Sequence, residues 1–198
     1  KVGLEIKNDL ERVRAVRSEV GEGFSVSVDA NAGWTESEAT LALRGLEALD
    51  VKSFEQPLRR GDFEGTARLR ARTHIPIMLD EGVFTAQDAM EAVRADCCDL
   101  ISIYPGKNGG ILRSLAIAEI AHANGVKCII GSNLEMDLGT AAMLHLAVAM
   151  PALCETVAHD IIGPLYYTEH LTDQLIRYEN GCAILPDGPG LGVRPNFS

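Results

Sequence analysis

No stretch of this sequence approaches the roughly 18 to 20 uninterrupted apolar residues that a bilayer-spanning helix needs, so no membrane partner is expected. The opening Lys1-Val2-Gly3-Leu4-Glu5 has neither an initiator Met nor an apolar leader, and it reads as the interior of a longer polypeptide. Basic residues are scarce: 18 Lys and Arg stand against 28 Asp and Glu, a net charge of −10. Such a surface repels nucleic acid and anionic lipid, which excludes both as natural partners. The five cysteines, Cys97, Cys98, Cys128, Cys154 and Cys182, show no C-x-x-C spacing. An odd number, several of them in apolar runs, points to buried free thiols in a reducing, cytoplasmic compartment. No G-x-G-x-x-G or G-x-x-x-x-G-K-[ST] phosphate loop occurs, and Gly109-Gly110 has the form of a helix-opening turn.

What is present is a repeat. Short β-branched runs at Phe24–Asp29, Val51–Glu55, Ile75–Asp80, Asp99–Tyr104 and Val126–Gly131, with a weaker one at Leu153–Val157, read as strands. Apolar residues at helical spacing fill the gaps, over Leu10–Val20, Glu36–Leu46, Phe63–Arg72, Ala86–Ala95, Ile111–Ala123 and Gly139–Ala149. Thr35-Glu36-Ser37-Glu38 has the form of a capping box. Strand ends at 29, 55, 80, 104 and 131 lie 26, 25, 24 and 27 residues apart, so one β/α unit is copied along the chain. Alternation at this period gives a parallel sheet. Polar residues recur at every strand end, where a TIM-type (β/α) barrel builds its site; an open sheet would gather them at one switch point.

Five good strands, one weak strand and a strand end at Lys1-Val2-Gly3 make about seven of the eight a barrel needs, incomplete at the N-terminal side. The repeat stops after Pro164. Residues 1–164 are therefore expected to form the barrel fragment, and 165–198 an extension with a hairpin in IRYENGCAILPDG and a Gly/Pro-rich end. An extension of this kind is expected to pack on the barrel or on a capping domain that this chain lacks.

Three acids close three consecutive strands: Asp29 in SVDAN, Glu55 in FEQP and Asp80 in MLDEG. Bare carboxylates at neighbouring strand ends repel one another, and a hard divalent cation removes that repulsion. Oxygen ligands at three corners suit Mg²⁺, with Mn²⁺ as the alternative; no His or Cys stands at an equivalent position to suggest zinc. Asn31 and Gln56 follow two of the acids and are placed to orient them. Glu135 and Asp137 follow the run ending at Gly131 and face the same mouth, and Glu155 lies on the weak last strand. His74 lies at the wrong end of its strand, His145 within an apolar helix, and His159 in the loop beyond the last strand.

With VDANAGW, FEQPL, MLDEG, NGGI, GSNLE and PDGPGLGV, nearly the whole chain resembles the enolase superfamily, in the branch of muconate cycloisomerases and mandelate racemases. The resemblance implies that Asp29, Glu55 and Asp80 bind Mg²⁺, which holds a substrate carboxylate and stabilises the enediolate formed when a base removes the neighbouring proton. Lys1 matches the second lysine of the cycloisomerase Lys-x-Lys, and its pKa is expected to be depressed by a cationic neighbour and the metal. Where that branch has a second lysine, at the end of the sixth barrel strand, this chain has Tyr104; Lys107 follows three residues later in the GKNGG loop. The racemase branch has an Asp and a His where this chain has Tyr104 and Asn133. Catalysis is thus assigned to Lys1 and Tyr104, and substrate contacts to Asn31, Lys107, Asn133, Glu135 and Glu155. With one clear base, the expected reaction is cycloisomerisation or dehydration of a small carboxylate. A racemase or epimerase using Tyr104 is the alternative, as is a metal-binding homologue that has lost its chemistry. An unrelated phosphate-binding barrel is the remaining option. Relatives of this kind assemble as homo-oligomers.

Overall fold

The structure is a computed structural model and describes residues 1–196. Seven helices and five parallel strands alternate from the amino end: α1 (Ile6–Val20), β1 (Val26–Asp29), α2 (Glu36–Ala48), β2 (Val51–Glu55), α3 (Phe63–Arg70), β3 (Ile77–Leu79), α4 (Ala86–Arg94), β4 (Leu100–Ile103), the single turn α5 (Pro105–Asn108), α6 (Ile111–Ala123), β5 (Lys127–Ile130) and α7 (Asp137–Ala149). The strands pair in chain order, β1-β2-β3-β4-β5, every pair parallel, and form half of a barrel. A 3₁₀ turn at Gly163–Tyr166 leads to an antiparallel hairpin of β6 (Arg177–Glu179) and β7 (Cys182–Ile184). Among the described residues no helix is long and apolar enough to cross a membrane.

Local chemistry explains most element starts. Thr35 and Glu38 close the expected capping box on α2, and Thr85 with Asp88 builds the same device on α4. Asp62 accepts the Gly65 N–H at 3.0 Å and starts α3. The hairpin turns at Asn180-Gly181, both with positive φ, the pairing that two-residue hairpin loops favour.

Side chains on the outer face of the sheet bury against the helices in two clusters. Phe54, Leu46, Leu69 and Ile77 anchor the one beneath α1–α3; Ile101, Ile103, Ile117, Ile130 and Met143 anchor the one beneath α4–α7. Each such side chain stabilises the fold by about 1.5–3 kcal/mol relative to exposure. The inner face carries a smaller apolar layer of Met78, Leu100, Ile129, Cys154 and Val157. That layer is the floor of the half-barrel, and the polar strand ends rise from it.

Several boundaries depart from the sequence reading. Phe24 is 61% exposed and unpaired, so the first strand begins at Val26. Of the apolar face expected on α1, only Val13 is buried; Val16 and Val20 lie open. The expected strand Leu153–Val157 is reduced to one bridge, Leu153 to Cys128, because among the described residues no strand lies beyond it to pair with. Lys1–Gly3 is extended chain joined to β1 by the Val2 N–H on the Asp29 carbonyl at 2.9 Å. The expected extension ends at Ser198, and its last two positions lie outside the described residues.

Candidate metal and active site

The barrel register decides how the acids meet. Asp29 pairs directly with Glu55 across β1 and β2, whereas Glu55 pairs with Met78. Asp80 therefore stands two residues further along, on the same face but about 6.6 Å up the strand direction. The equal intervals in the sequence suggested a level row; the structure gives a staggered one. Asp29, Glu55 and Asp80 line one cavity of about 230 Å³ with Lys1, Ser27, Ser102, Gly131, Ser132 and Asp160.

Each outer acid has its own lysine. The Lys1 ammonium donates to Asp29 Oδ2, and Lys107 donates to Asp80 Oδ1 at 2.7 Å. Lys107 also donates to the carbonyls of Asp80 and Ser102 at 2.9 and 2.6 Å, so its three ammonium protons are committed within the protein. Its side chain is only 3% exposed. Glu55 lies between the pairs; burial, then the charges of Asp29 and Asp80, push its carboxyl up to about 8. Glu81 and Asp160 are raised by burial and by the same two acids.

Burial pulls the Lys1 pKa down, but the Asp29 hydrogen bond and the charges of Asp29, Glu55 and Glu81 together raise it. The depression expected from a cationic neighbour and a metal concerns groups beyond these three acids. Tyr104 is buried beneath Lys107, whose Nζ lies 4.9 Å from the ring centre. Burial, then Asp80, Glu135, Glu81 and Glu55, push its phenol well above the ordinary value, so it remains neutral at any physiological pH.

The remaining candidates divide. Asn31 adopts φ +42, its N–H caps Asp29 Oδ1 at 2.7 Å, and its side chain reaches Glu81 at 3.3 Å. Gln56 holds the Asp80 and Gly82 N–H groups at 3.0 and 2.9 Å, and so fixes the backbone of a candidate ligand rather than its carboxylate. Glu135 accepts from Ser132 Oγ and the Asn133 N–H, which ties it to its own loop; Asn133 is exposed. Asp137 is buried beneath His170 at 3.2 Å, in contact with the extension. Glu155 is not brought to the acid cavity: it is exposed on a separate, largely apolar groove of about 550 Å³. His159 accepts the Ile130 N–H at 3.0 Å, and His74 is exposed. His145 is half-buried, with Nε2 unpartnered among the described residues.

Sequence reasoning missed Asp160, Glu81 and Ser102. Glu155 lies within the weak run Leu153–Val157; irregular chain after Leu153 turns it to the other groove and delivers Asp160 to the cavity instead. Ser102 lies two residues before Tyr104 in the run Asp99–Tyr104, a signal that was available. Its Oγ is buried and unpartnered among the described residues, and it faces the cavity.

The donor set fits a hard divalent cation in kind. Burial, and then the two neighbouring carboxylates in the same cavity, keep Glu55 largely protonated at neutral pH, the behaviour of an acid cluster short of positive charge. Among the described residues no three of them already meet at metal-binding spacing, which agrees with the two-residue stagger and with the lysines on the outer acids.

This half-barrel and its acidic mouth belong to a family described as enolase C-terminal domain-like, which the chain matches over residues 1–198. The chain belongs to the enolase superfamily. It is 32% identical to the N-succinyl-L-Arg/Lys racemase of Bacillus cereus over 99% of its length and 52% of that protein. It is 36% identical to the chloromuconate cycloisomerase of Cupriavidus pinatubonensis over 96% of its length and 51% of that protein. The solved L-Ala-D/L-Glu epimerase of Bacillus subtilis, in a substrate-liganded complex, superimposes with a TM-score of 0.91 at 35% identity, over 98% of this chain and 54% of that one. The chain thus spans about half the length of the curated relatives it matches. Enzymes of this superfamily generally use Mg²⁺.

Proposed function

We propose that this chain carries the metal-binding and base-bearing half of a Mg²⁺-dependent enzyme that removes the α-proton of a small carboxylate. The single supporting observation is the cavity in which Asp29, Glu55 and Asp80 face Lys1. In this reading the three acids hold the cation, with Mn²⁺ as a substitute. When bound, it supplies positive charge that polarises the substrate carboxylate and offsets the acids that now keep Lys1 an ammonium. Lys1, on an otherwise exposed side chain, takes the α-proton. Gln56 and Asn31 fix the ligand loops, and Lys107 holds the Asp80 carboxylate from behind. Ser102 offers an unpaired hydroxyl to the substrate, and Asn133 and Glu135 stand at the rim.

One base on one face favours cycloisomerisation, or elimination of water from a hydroxy acid. A racemase or epimerase is the second reading, favoured by similarity to a racemase and an epimerase. It requires a proton donor on the opposite face; Tyr104, held neutral, carries a proton, but its raised pKa opposes giving that proton up. The same proposal treats residues 1–164 as the barrel fragment and the extension from 165 as packing against a capping domain. It takes the enzyme to be a cytoplasmic homo-oligomer, with four buried free thiols suited to a reducing compartment.

Exchange of substrate α-protons with D₂O, followed by NMR in the full-length protein with Mg²⁺, tests the reading. N-succinyl-L-lysine, L-Ala-L-Glu and muconolactone are suitable probes, taken from what similar proteins act on or hold. Exchange that disappears with EDTA and in Glu55→Gln is expected. Tight Mg²⁺ binding without exchange across a wide panel of carboxylates would point instead to an inert homologue.

A further inference from the structure

Lys1 lies on the chain segment that leads into α1, and little holds its side chain. That side chain is 72% exposed, and among the described residues its one bond is to Asp29. The position of its ammonium is therefore set by the backbone beneath it. Val2 is buried and hydrogen-bonded to the Asp29 carbonyl. Gly3, at φ +101, sits so close to β1 that a Cβ there would lie 2.2 Å from the Ala30 carbonyl oxygen.

Asp9 completes this anchorage in an unusual way. It is the fourth residue of α1, fully buried, and its side chain turns back beyond the helix start. Oδ2 accepts the consecutive N–H groups of Gly3, Leu4 and Glu5 at 2.9, 2.9 and 3.0 Å. Oδ1 accepts Arg12 Nη1 at 2.7 Å, and the same Nη1 donates to the Lys1 carbonyl at 3.0 Å. The N-cap residue Glu5 supplies no side-chain cap of its own. A buried carboxylate is costly unless it is fully bonded, and this one has four donors. The guanidinium then carries the constraint from the helix to the peptide that bears Lys1.

We propose that Asp9 and Arg12 are positioning residues for Lys1, a buried brace that fixes the backbone from which the candidate base reaches the cavity. This rests on the reading of Lys1 as the base. A misplacement of about 1 Å at a reacting group is enough to lower a rate roughly a hundredfold.

The test compares Arg12→Met, Arg12→Lys, Asp9→Asn and Lys1→Ala in the full-length protein. Arg12 is half-exposed, so Arg12→Met leaves Asp9 held by its three backbone donors while removing the guanidinium and with it the bridge to Lys1. Expected is a 10- to 100-fold fall in kcat for α-proton exchange, with KM and Mg²⁺ affinity within twofold of the parent and partial rescue by Arg12→Lys. Amide exchange at Val2 needs no substrate and is expected to quicken at least tenfold in Arg12→Met. Unchanged kcat, unchanged Val2 exchange, or a parallel loss of Mg²⁺ affinity overturns the brace. Full activity in Lys1→Ala overturns the reading of the base, and the brace with it; loss in Lys1→Ala with full activity in Arg12→Met overturns the brace alone.

Discussion

Replacing Lys107 by Met keeps the aliphatic stem and removes the ammonium that faces Asp80. The two side chains are 3% and 17% exposed, so the pair is largely withdrawn from water. Taking away one partner of a buried ion pair costs about 3–5 kcal/mol, because the remaining charge is left without compensation. Asp80 keeps some contact with solvent, which places the cost near the lower end, about 3 kcal/mol. For a cooperative unit of 150–250 residues that corresponds to a fall in Tm of roughly 6–12 °C. Calorimetry or thermal circular dichroism with EDTA present measures it. Saturating Mg²⁺ is expected to recover part of the loss, because a cation on Asp80 replaces the missing counter-charge. A shift below about 2 °C, or an equal shift with and without Mg²⁺, would refute the view that Lys107 neutralises a candidate ligand.

Ser102→Ala removes a buried hydroxyl with no partner among the described residues, so stability should stay level or rise by up to about 1 kcal/mol while KM for the substrate increases; urea denaturation and steady-state kinetics check the two halves. Gly163→Ala would drive a Cβ to 2.1 Å from the Glu135 carbonyl oxygen, so a loss of about 1–3 kcal/mol and faster proteolysis of the extension are expected. His159 is half-buried, and the loss of solvent lowers its pKa below the usual 6.5; its ring accepts the Ile130 N–H. Protons then bind preferentially to the unfolded chain, so its contribution is complete above about pH 6.5 and declines as pH falls below that value. His159→Asn should flatten the stability profile between pH 5 and 7, and an unaltered slope would contradict this account.

The architecture was legible because its signals are periodic. Strand ends at near-equal intervals, Thr35 with Glu38 and Asn180 with Gly181 each encode geometry in a few neighbouring residues. The type of acid at positions 29, 55 and 80 was equally plain. Their relative height was not, because intervals count residues and not the stagger between strands. Lys107 looked like a loop residue; only the turn of α5 shows that it folds back over β4 to reach Asp80. Asp9 left no pattern at all, since one carboxylate that collects three backbone N–H groups depends on the path of the chain. The weak run at 153–157 kept its strand-like composition but has no neighbour among the described residues on its far side, so that composition suggested Glu155 where the fold delivers Asp160.

Gly3 and Gly33 lie against each other as closely as backbones allow: a Cβ at Gly33 would meet the Gly3 carbonyl oxygen at 2.2 Å, just as one at Gly3 would meet Ala30. Neither position has room for a larger residue, and neither has a side chain that could lengthen or shrink. The segment carrying the amine and the turn following the first acid therefore behave as one interlocked piece. Their spacing is inherited from main-chain contact, and substitutions elsewhere in the cavity can retune its chemistry without altering that distance.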